Sequence, residues 1–390
     1  MQTKQSLKSY PEITREALEQ AYKKAVELVA DNIDEFTHDF PDSNSKGNFY
    51  TQTENVEWTT GFWTGEIWLA YEATRNENFK KAGNIQVDSF LERINSKIDI
   101  NHHDMGFLFL PSCVAAYKLT GNEKGKEAAL KAADNLMLRF QEKGQFFQAW
   151  GDIGAANEYS LIIDSLLNMP LLFWASEVTG REEYADKAKV HIKTVINHVI
   201  REDFSTYHTY FFDPANGRPI KGATHQGNRD GSSWARGQAW GIYGMAIAYG
   251  NLKNTEYLEI FKKLTDYFLK NLPSDLIPYW DFDFNDGSDE PRDSSASAIS
   301  ICGMLEMSKY LPASESAYYL SNAKKLLKAL VDKCAVKSGK ESNGLLLHGT
   351  YARGTRSNSC TDRGVDECNT WGDYYYLEAL SRCVKDLKYI

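Results

Sequence analysis

A chain of 390 residues with 42% hydrophobic and 13% aromatic content is long enough to bury a sizeable core. Its 53 acidic residues outnumber 44 basic ones, giving a formal charge of −9 without any long Lys/Arg block, which argues against nucleic acid and anionic membrane surfaces as partners. No stretch approaches the roughly 18 apolar residues of a membrane span, and the start, Met1-Gln2-Thr3-Lys4-Gln5-Ser6-Leu7-Lys8, has no apolar leader core.

An amphipathic helix is expected over 14–36. Helix-period runs then pair around short turns: 61–73 with 79–94, 106–119 with 123–140, 166–178 with 182–200, 237–251 with 256–272, and 294–310 with 316–334. A Tyr-rich helix over 371–384 closes the chain. The first helix of each pair is rich in Gly, Ala, Trp and large aliphatics. The second carries a Lys/Glu face at helical spacing, as in Glu182-Glu183-Tyr184-Ala185-Asp186-Lys187. A helix apolar all round is buried and an amphipathic one lies outside it, so each pair reads as inner then outer. This alternation is the sign of a helical repeat array. The end helices lack the polar outer face that capping repeats need, which favours a closed ring over an open superhelix. The expected fold is all-α, an (α/α)6 six-hairpin barrel spanning 1–390 as a single domain.

In such a barrel the loops entering the inner helices converge on one mouth. Those loops hold Trp58, His103-Asp104, Trp150, Asp164, His225-Gln226, Trp234-Ala235-Arg236, Trp240, Tyr279-Trp280-Asp281-Phe282-Asp283 and Trp371-Gly372-Asp373-Tyr374, whereas the opposite turns carry Thr, Gly, Asn and Glu. A pocket with convergent polar groups on a rigid scaffold is the default site, and aromatic faces in polar loops suit sugars. Asp164 follows three aliphatic residues in Leu161-Ile162-Ile163-Asp164-Ser165-Leu166-Leu167. It reads either as a desolvated carboxyl held protonated for general-acid work or as a helix N-cap. Asp104 and Asp373 carry the same cap alternative, and His103 reads as a ligand-binding group or as a donor to a backbone carbonyl. Arg236 requires an anionic partner, an aspartate or a substrate carboxylate. Asp281 and Asp283 read as solvated turn residues, and His191, His198 and Trp174 as structural. Cysteines 113, 302, 334, 360, 368 and 383 form no CxxC or zinc pattern and read as reduced thiols of a cytoplasmic protein. No P-loop or dinucleotide fingerprint appears, so neither cofactor nor metal is expected.

These segments, in this order, resemble the unsaturated glucuronyl hydrolases of glycoside hydrolase family 88, with the unsaturated rhamnogalacturonyl hydrolases of family 105 as relatives. The resemblance runs through Trp58 with Gly61-Phe62-Trp63, His103-Asp104, Trp150, Asp164, His208, His225-Gln226-Gly227, Trp234-Ala235-Arg236-Gly237-Gln238-Ala239-Trp240 and Trp371-Gly372-Asp373-Tyr374. It implies an enzyme that hydrates the C4=C5 vinyl ether of a non-reducing-end unsaturated glucuronic acid left by a polysaccharide lyase. Asp164 then matches the general acid/base and Asp104 the second carboxylate. Trp58, His103, Trp150, His208, His225, Gln226, Arg236, Trp240, Trp371 and Tyr374 match substrate-binding positions. The partner is a small unsaturated oligosaccharide, and the protein is expected to be a monomer or homodimer. Members that prefer sulfated fragments carry an Arg where this chain has His225, and a Lys that the loop Gly354-Thr355-Arg356-Ser357-Asn358-Ser359 lacks. Unsulfated chondroitin or hyaluronan disaccharides are therefore the expected substrates. Pectin fragments, a sugar epimerase on the same barrel, and a carbohydrate-binding module without activity are the competing readings.

Overall fold

The computed structural model describes residues 7–385 and residue 387. Residues 1–6, most of the segment read as lacking a leader core, lie outside the described residues, as do 386 and 388–390 at the end of the expected 1–390 domain. Helix α1 (Arg15–Asn32) opens the fold, with the Thr14 side chain accepting from the Ala17 N–H as its N-cap. Hairpins follow: α2 (Thr60–Thr74) with α3 (Glu77–Asn95), and α4 (Met105–Phe109) and α5 (Ala115–Thr120) with α6 (Glu123–Met137). Next come α7 (Met169–Thr179) with α8 (Glu182–His198), α9 (Ala235–Leu252) with α10 (Thr255–Asn271), and α11 (Ser294–Ser308) with α12 (Ala313–Lys333). Helix α13 (Thr370–Val384) ends it.

One turn device recurs at the hairpins. The inner helix stops at a left-handed residue, Arg75, Gly121, Gly180 or Lys253. An Asn then caps the outer helix at three of these turns, through Asn76, Asn122 and Asn254. A left-handed C′ residue satisfies orphan carbonyls, and each side-chain cap contributes about 1 kcal/mol. The pattern reads as short loops between antiparallel neighbours, as the sequence implied.

Burial follows the expected inner and outer roles. Helices α2, α9 and α11 are buried along almost their whole length, whereas α3, α6 and α10 bury one stripe each. Helix α9 packs on α11, α11 on α13, and α13 back on α2, so the last inner helix closes the ring against the first. The fold is an (α/α)6 barrel. Among the described residues no helix is long and apolar enough to cross a membrane.

Two inner helices depart from the expected runs. The span 106–119 is broken by a π-helical turn at Leu110–Val114 that contains Pro111, because proline cannot supply the N–H of a regular turn. The span 166–178 starts instead as a 3-10 turn, Ile163–Leu167, with α7 beginning before Pro170. Small antiparallel sheets, which the helical pattern did not foretell, line the mouth. The one that matters most pairs β5 (Ser160–Ile162) with β6 (Thr209–Phe212), and β6 with β7 (Pro219–Ala223). Its register sets Ile162 opposite Thr209, and the Ile163 N–H donates to the His208 carbonyl at 3.0 Å. That pairing draws the segments bearing Asp164 and His208 together across 44 positions of chain.

Candidate active site

Asp164 lies in the 3-10 turn directly after β5, walled by the fully buried Ile163 and nearly buried Leu166. Its side chain caps no helix: the N-cap position of that turn is Ile162, and Asn168 occupies the N-cap position of α7. The Oδ1 atom is buried without a hydrogen-bond partner. Burial pushes the carboxyl up to about 7; the Asp104 charge adds to the rise, while His103 and Arg236 oppose it. Asp104 sits at the N-cap position of α4 but makes no capping bond. Its Oδ1 lies 3.2 Å from His103 Nε2 and its Oδ2 3.0 Å from His102 Nδ1. Burial would raise its pKa too, but the two imidazoles outweigh that and hold it well below the usual carboxylate range. Below about pH 7 the two carboxyls therefore occupy opposite protonation states, the arrangement that separates an acid from a fixed charge.

His103 sits between them, its Nε2 also 3.4 Å from Asp164 Oδ1. Its backbone N–H donates to the Ala149 carbonyl, fixing the loop, and the ring faces carboxylates where a backbone carbonyl had been one expectation. Burial alone would lower its pKa, yet Asp104 and then Asp164 raise it. His208 is the opposite case. Burial, with His225 and Arg236 nearby, holds it well below the normal imidazole value. Its Nδ1 accepts from the N–H groups of His225 (2.9 Å) and Gln226 (3.2 Å), so the neutral ring carries its proton on Nε2.

Arg236, in the first turn of α9, is 1% exposed. Its Nη1 donates to Asp293 Oδ2 at 2.5 Å and to the Thr350 carbonyl at 2.6 Å, and Nη2 donates to the Tyr351 carbonyl at 2.6 Å. The guanidinium lies 4.4 Å from the Trp234 ring and 4.8 Å from the Trp371 ring, and its Nε is buried without a partner. Asp293 and Tyr351 were not among the expected site residues. Only the requirement of an anion for Arg236 pointed toward the first of them.

These groups line one cavity of about 170 Å³: Trp58, His103, Asp104, Trp150, Ile162, Asp164, His208, His225, Gln226, Trp234, Arg236, Trp240 and Tyr351. Trp58 stacks on Trp371 at 5.0 Å and donates from Nε1 to the Tyr351 hydroxyl at 2.9 Å. Trp240 closes the floor against Phe107 and Tyr375. At the rim, His225 Nδ1 meets Ser359 Oγ at 2.7 Å, and Trp150 stands edge-on to His225 at 5.8 Å. His103, Asp104 and Asp164 offer three ligand-type atoms within 4.8 Å of one another, the group among the described residues with metal-like spacing. Their opposed protonation and the 3.2 and 3.4 Å contacts through a single imidazole nitrogen suit a proton-handling triad.

Two expected binding residues fall elsewhere. Trp371 is fully buried behind Trp58, where it supports the stack. Tyr374, packed on Phe62 and Tyr375, lines a second cavity toward the other end of the barrel. Both lie on α13, where one face meets the mouth and the rest meets the ring, and spacing alone does not tell the faces apart. Asp373 is no cap either. It accepts from the Tyr50 hydroxyl and the Leu346 N–H, while Asn369 caps α13. Asp281 also departs from expectation. It is fully buried and accepts from the Asn228 N–H, the Ser232 hydroxyl and the Asp283 N–H, with burial raising it to about 6. It thus ties down the loop that carries His225 and Gln226. Asp283 is bound to Arg229 at 2.9 Å. His191 is structural, as expected, bridging the Phe147 N–H and the Ser165 hydroxyl.

Residues 31–384 match the model of the family described as Glycosyl Hydrolase Family 88. An unsaturated chondroitin disaccharide hydrolase of Streptococcus pneumoniae is 47% identical over 96% of this chain and 94% of that protein. The crystal structure of an unsaturated glucuronyl hydrolase from Streptococcus agalactiae superposes with a TM-score of 0.94 at 46% identity, covering 99% of this chain and 96% of the other. A mutant of that enzyme complexed with dGlcA-GalNAc6S matches with a TM-score of 0.86 at 42% identity over the same shares.

Proposed function

The chain belongs to glycosyl hydrolase family 88, and from that premise we propose that it releases 4,5-unsaturated glucuronic acid from the non-reducing end of lyase-generated chondroitin or hyaluronan disaccharides. The observation that carries this reading is a carboxyl held protonated up to about pH 7, Asp164, beside an ionised one, Asp104, in a cavity that also holds a guanidinium with an unused edge.

Asp164 delivers its proton to C4 of the alkene. The ring oxygen stabilises the cation that forms at C5, and the new Asp164 carboxylate takes a proton from the water adding there. The resulting C5 hemiketal opens to a ketone. The C1 hemiacetal this leaves then collapses and frees the second sugar. His103, 3.4 Å from Asp164, stabilises the charge that appears on Asp164 in the first step. Asp104 accepts hydrogen bonds from the sugar hydroxyls. Arg236 retains its Nε–H and a second hydrogen on Nη2, the side-on fork that grips a carboxylate. Trp58 and Trp150 offer ring faces, Trp240 the floor, and His208, His225 and Gln226 polar edges. Names among the relatives favour glycosaminoglycan over pectin fragments.

The preference within that class follows from the rim. His225, whose pKa burial lowers, and Ser359 bond to each other where sulfate-preferring members are expected to hold cations. Arg353 is already bound by Asp362 and Glu290, which leaves Arg356 as the exposed cation of the loop. Unsulfated disaccharides are the preferred substrates on this reading. Six free cysteines suit a reducing cytoplasm, and the whole chain acts as a single catalytic domain. The test offers the enzyme an unsaturated chondroitin disaccharide and its saturated counterpart. Only the unsaturated one is consumed, and hydrolysis of the saturated one at a comparable rate contradicts the proposal.

A further inference from the structure

Asp293 touches no part of the cavity, yet it is fully buried and spends both oxygens on the site's support. Oδ2 accepts from Arg236 Nη1 at 2.5 Å. Oδ1 accepts from the Ser295 N–H at 3.2 Å and from the Ser295 hydroxyl at 2.5 Å, and that hydroxyl accepts in turn from Trp371 Nε1 at 3.0 Å. The relay thus runs from the aromatic stack, Trp371 on Trp58, through Ser295 and Asp293 to Arg236, whose guanidinium lies over the Trp371 ring. Two carbonyls and Asp293 take three of the four Nη hydrogens. The side-on edge is left by default.

We propose that Asp293 is a positioning residue for the reaction: it orients Arg236 so that the free Nε edge meets the substrate carboxylate, and it neutralises the guanidinium so that Asp164 keeps its proton. The inference rests on the uronate-hydration reading. Charge balance is the reason Arg236 needs a carboxylate of its own. Asp164 is faced by Asp104 and His103 from the loop before α4, by Arg236 from α9 and by neutral His208 before β6. An unpaired cation among these favours the ionised form of Asp164, which cannot protonate carbon.

The test measures kcat, KM and the pH dependence of kcat/KM for purified Asp293→Asn and Asp293→Glu on unsaturated chondroitin disaccharide. For the wild-type enzyme kcat/KM falls as pH rises through about 7, because only protonated Asp164 acts. Asp293→Asn leaves Arg236 uncompensated, so this limb moves to lower pH by at least half a unit, and KM rises about tenfold. Asp293→Glu restores the charge but not the geometry, so the limb returns while KM stays high. A merely structural role lowers activity without moving the limb, and that outcome overturns the proposal. If Asp293→Asn does not fold, the double variant Arg236→Gln with Asp293→Asn removes both charges together. Its limb stays at or above the wild-type position, and a lower one overturns the proposal. Failure of the parent reading is separate, since wild-type enzyme would then leave the alkene untouched.

Discussion

The two ends of the barrel bore bury charge in opposite ways. At the end formed by the C-terminal halves of the inner helices lies the larger cavity, about 290 Å³, lined by Tyr243, Glu306, Tyr310 and Glu378 among others. Its charges close on one another. Glu378 accepts from the Tyr243 hydroxyl and Arg382 Nε, and Glu306 accepts from Arg382 Nη1, Lys309 and the Tyr310 hydroxyl. At the mouth the cavity is smaller, yet Asp164 Oδ1, His103 Nδ1 and Arg236 Nε are buried with no hydrogen-bond partner. The larger cavity's orphan is a neutral one, the Trp174 indole N–H. Unspent valences on buried ionisable groups cost stability and are retained where a ligand completes them. Cavity size does not mark the chemistry here; open valence does.

The sharpest way to break this contrast is Asp164→Asn. It is expected to lower kcat at least about 10³-fold, the upper range for a general acid, with substrate binding largely kept; retention of more than about a tenth of kcat sinks the assignment. The same variant separates the ends by stability. A carboxyl raised from near 4 unfolded to about 7 folded contributes most at low pH, and that stability is lost as pH rises through 7. Asp164→Asn should therefore melt above wild type at pH 8 and converge with it near pH 4. Glu306 has the opposite sign: burial opposes ionisation, but Arg382 and Lys309 hold it down at about 2. Its stabilisation is present above the unfolded value and is lost as pH falls toward 2.

A smaller effect is expected at the rim. His225→Arg installs a fixed cation, and a charge-assisted bond of about 1.5–3 kcal/mol corresponds to roughly tenfold or more in kcat/KM for a 6-sulfated over an unsulfated disaccharide. No change in that ratio removes His225 from the specificity argument. Smallest in turnover is Glu378→Gln. It should cost about 1–3 kcal/mol in denaturant unfolding, because Arg382 and Tyr243 lose a charged acceptor, while kcat/KM stays within about twofold. A large loss of turnover there would mean that the two ends are coupled through the Phe62–Phe107 floor they share.

The ring of hairpins was legible because inner and outer helices differ in periodicity and charge, and because the Arg75–Asn76, Gly121–Asn122 and Lys253–Asn254 turns spell their own stops. Asp104, Asp164 and Arg236 stood out as ionisable residues ahead of apolar runs. What sequence could not supply were pairings across distance. Asp293 meets Arg236 from 57 positions away and Tyr351 meets it from 115, and each looks locally like an ordinary cap or strand residue. Trp371 and Tyr374 lie outside the mouth cavity for a rotational reason. They share a motif with mouth residues, but their rings turn into the wall of the bore. Asp281 resembled a turn residue because its three donors come from Asn228, Ser232 and Asp283, two of them some 50 positions upstream.

The central claim is that the bond first attacked is the C4=C5 alkene and not the anomeric linkage. With unsaturated chondroitin disaccharide, the ultraviolet absorbance of the conjugated alkene and the released amino sugar can be followed in one time course. Hydration through Asp164 predicts that absorbance falls ahead of, or in step with, amino-sugar release. Release of the amino sugar while the absorbance persists would contradict the account.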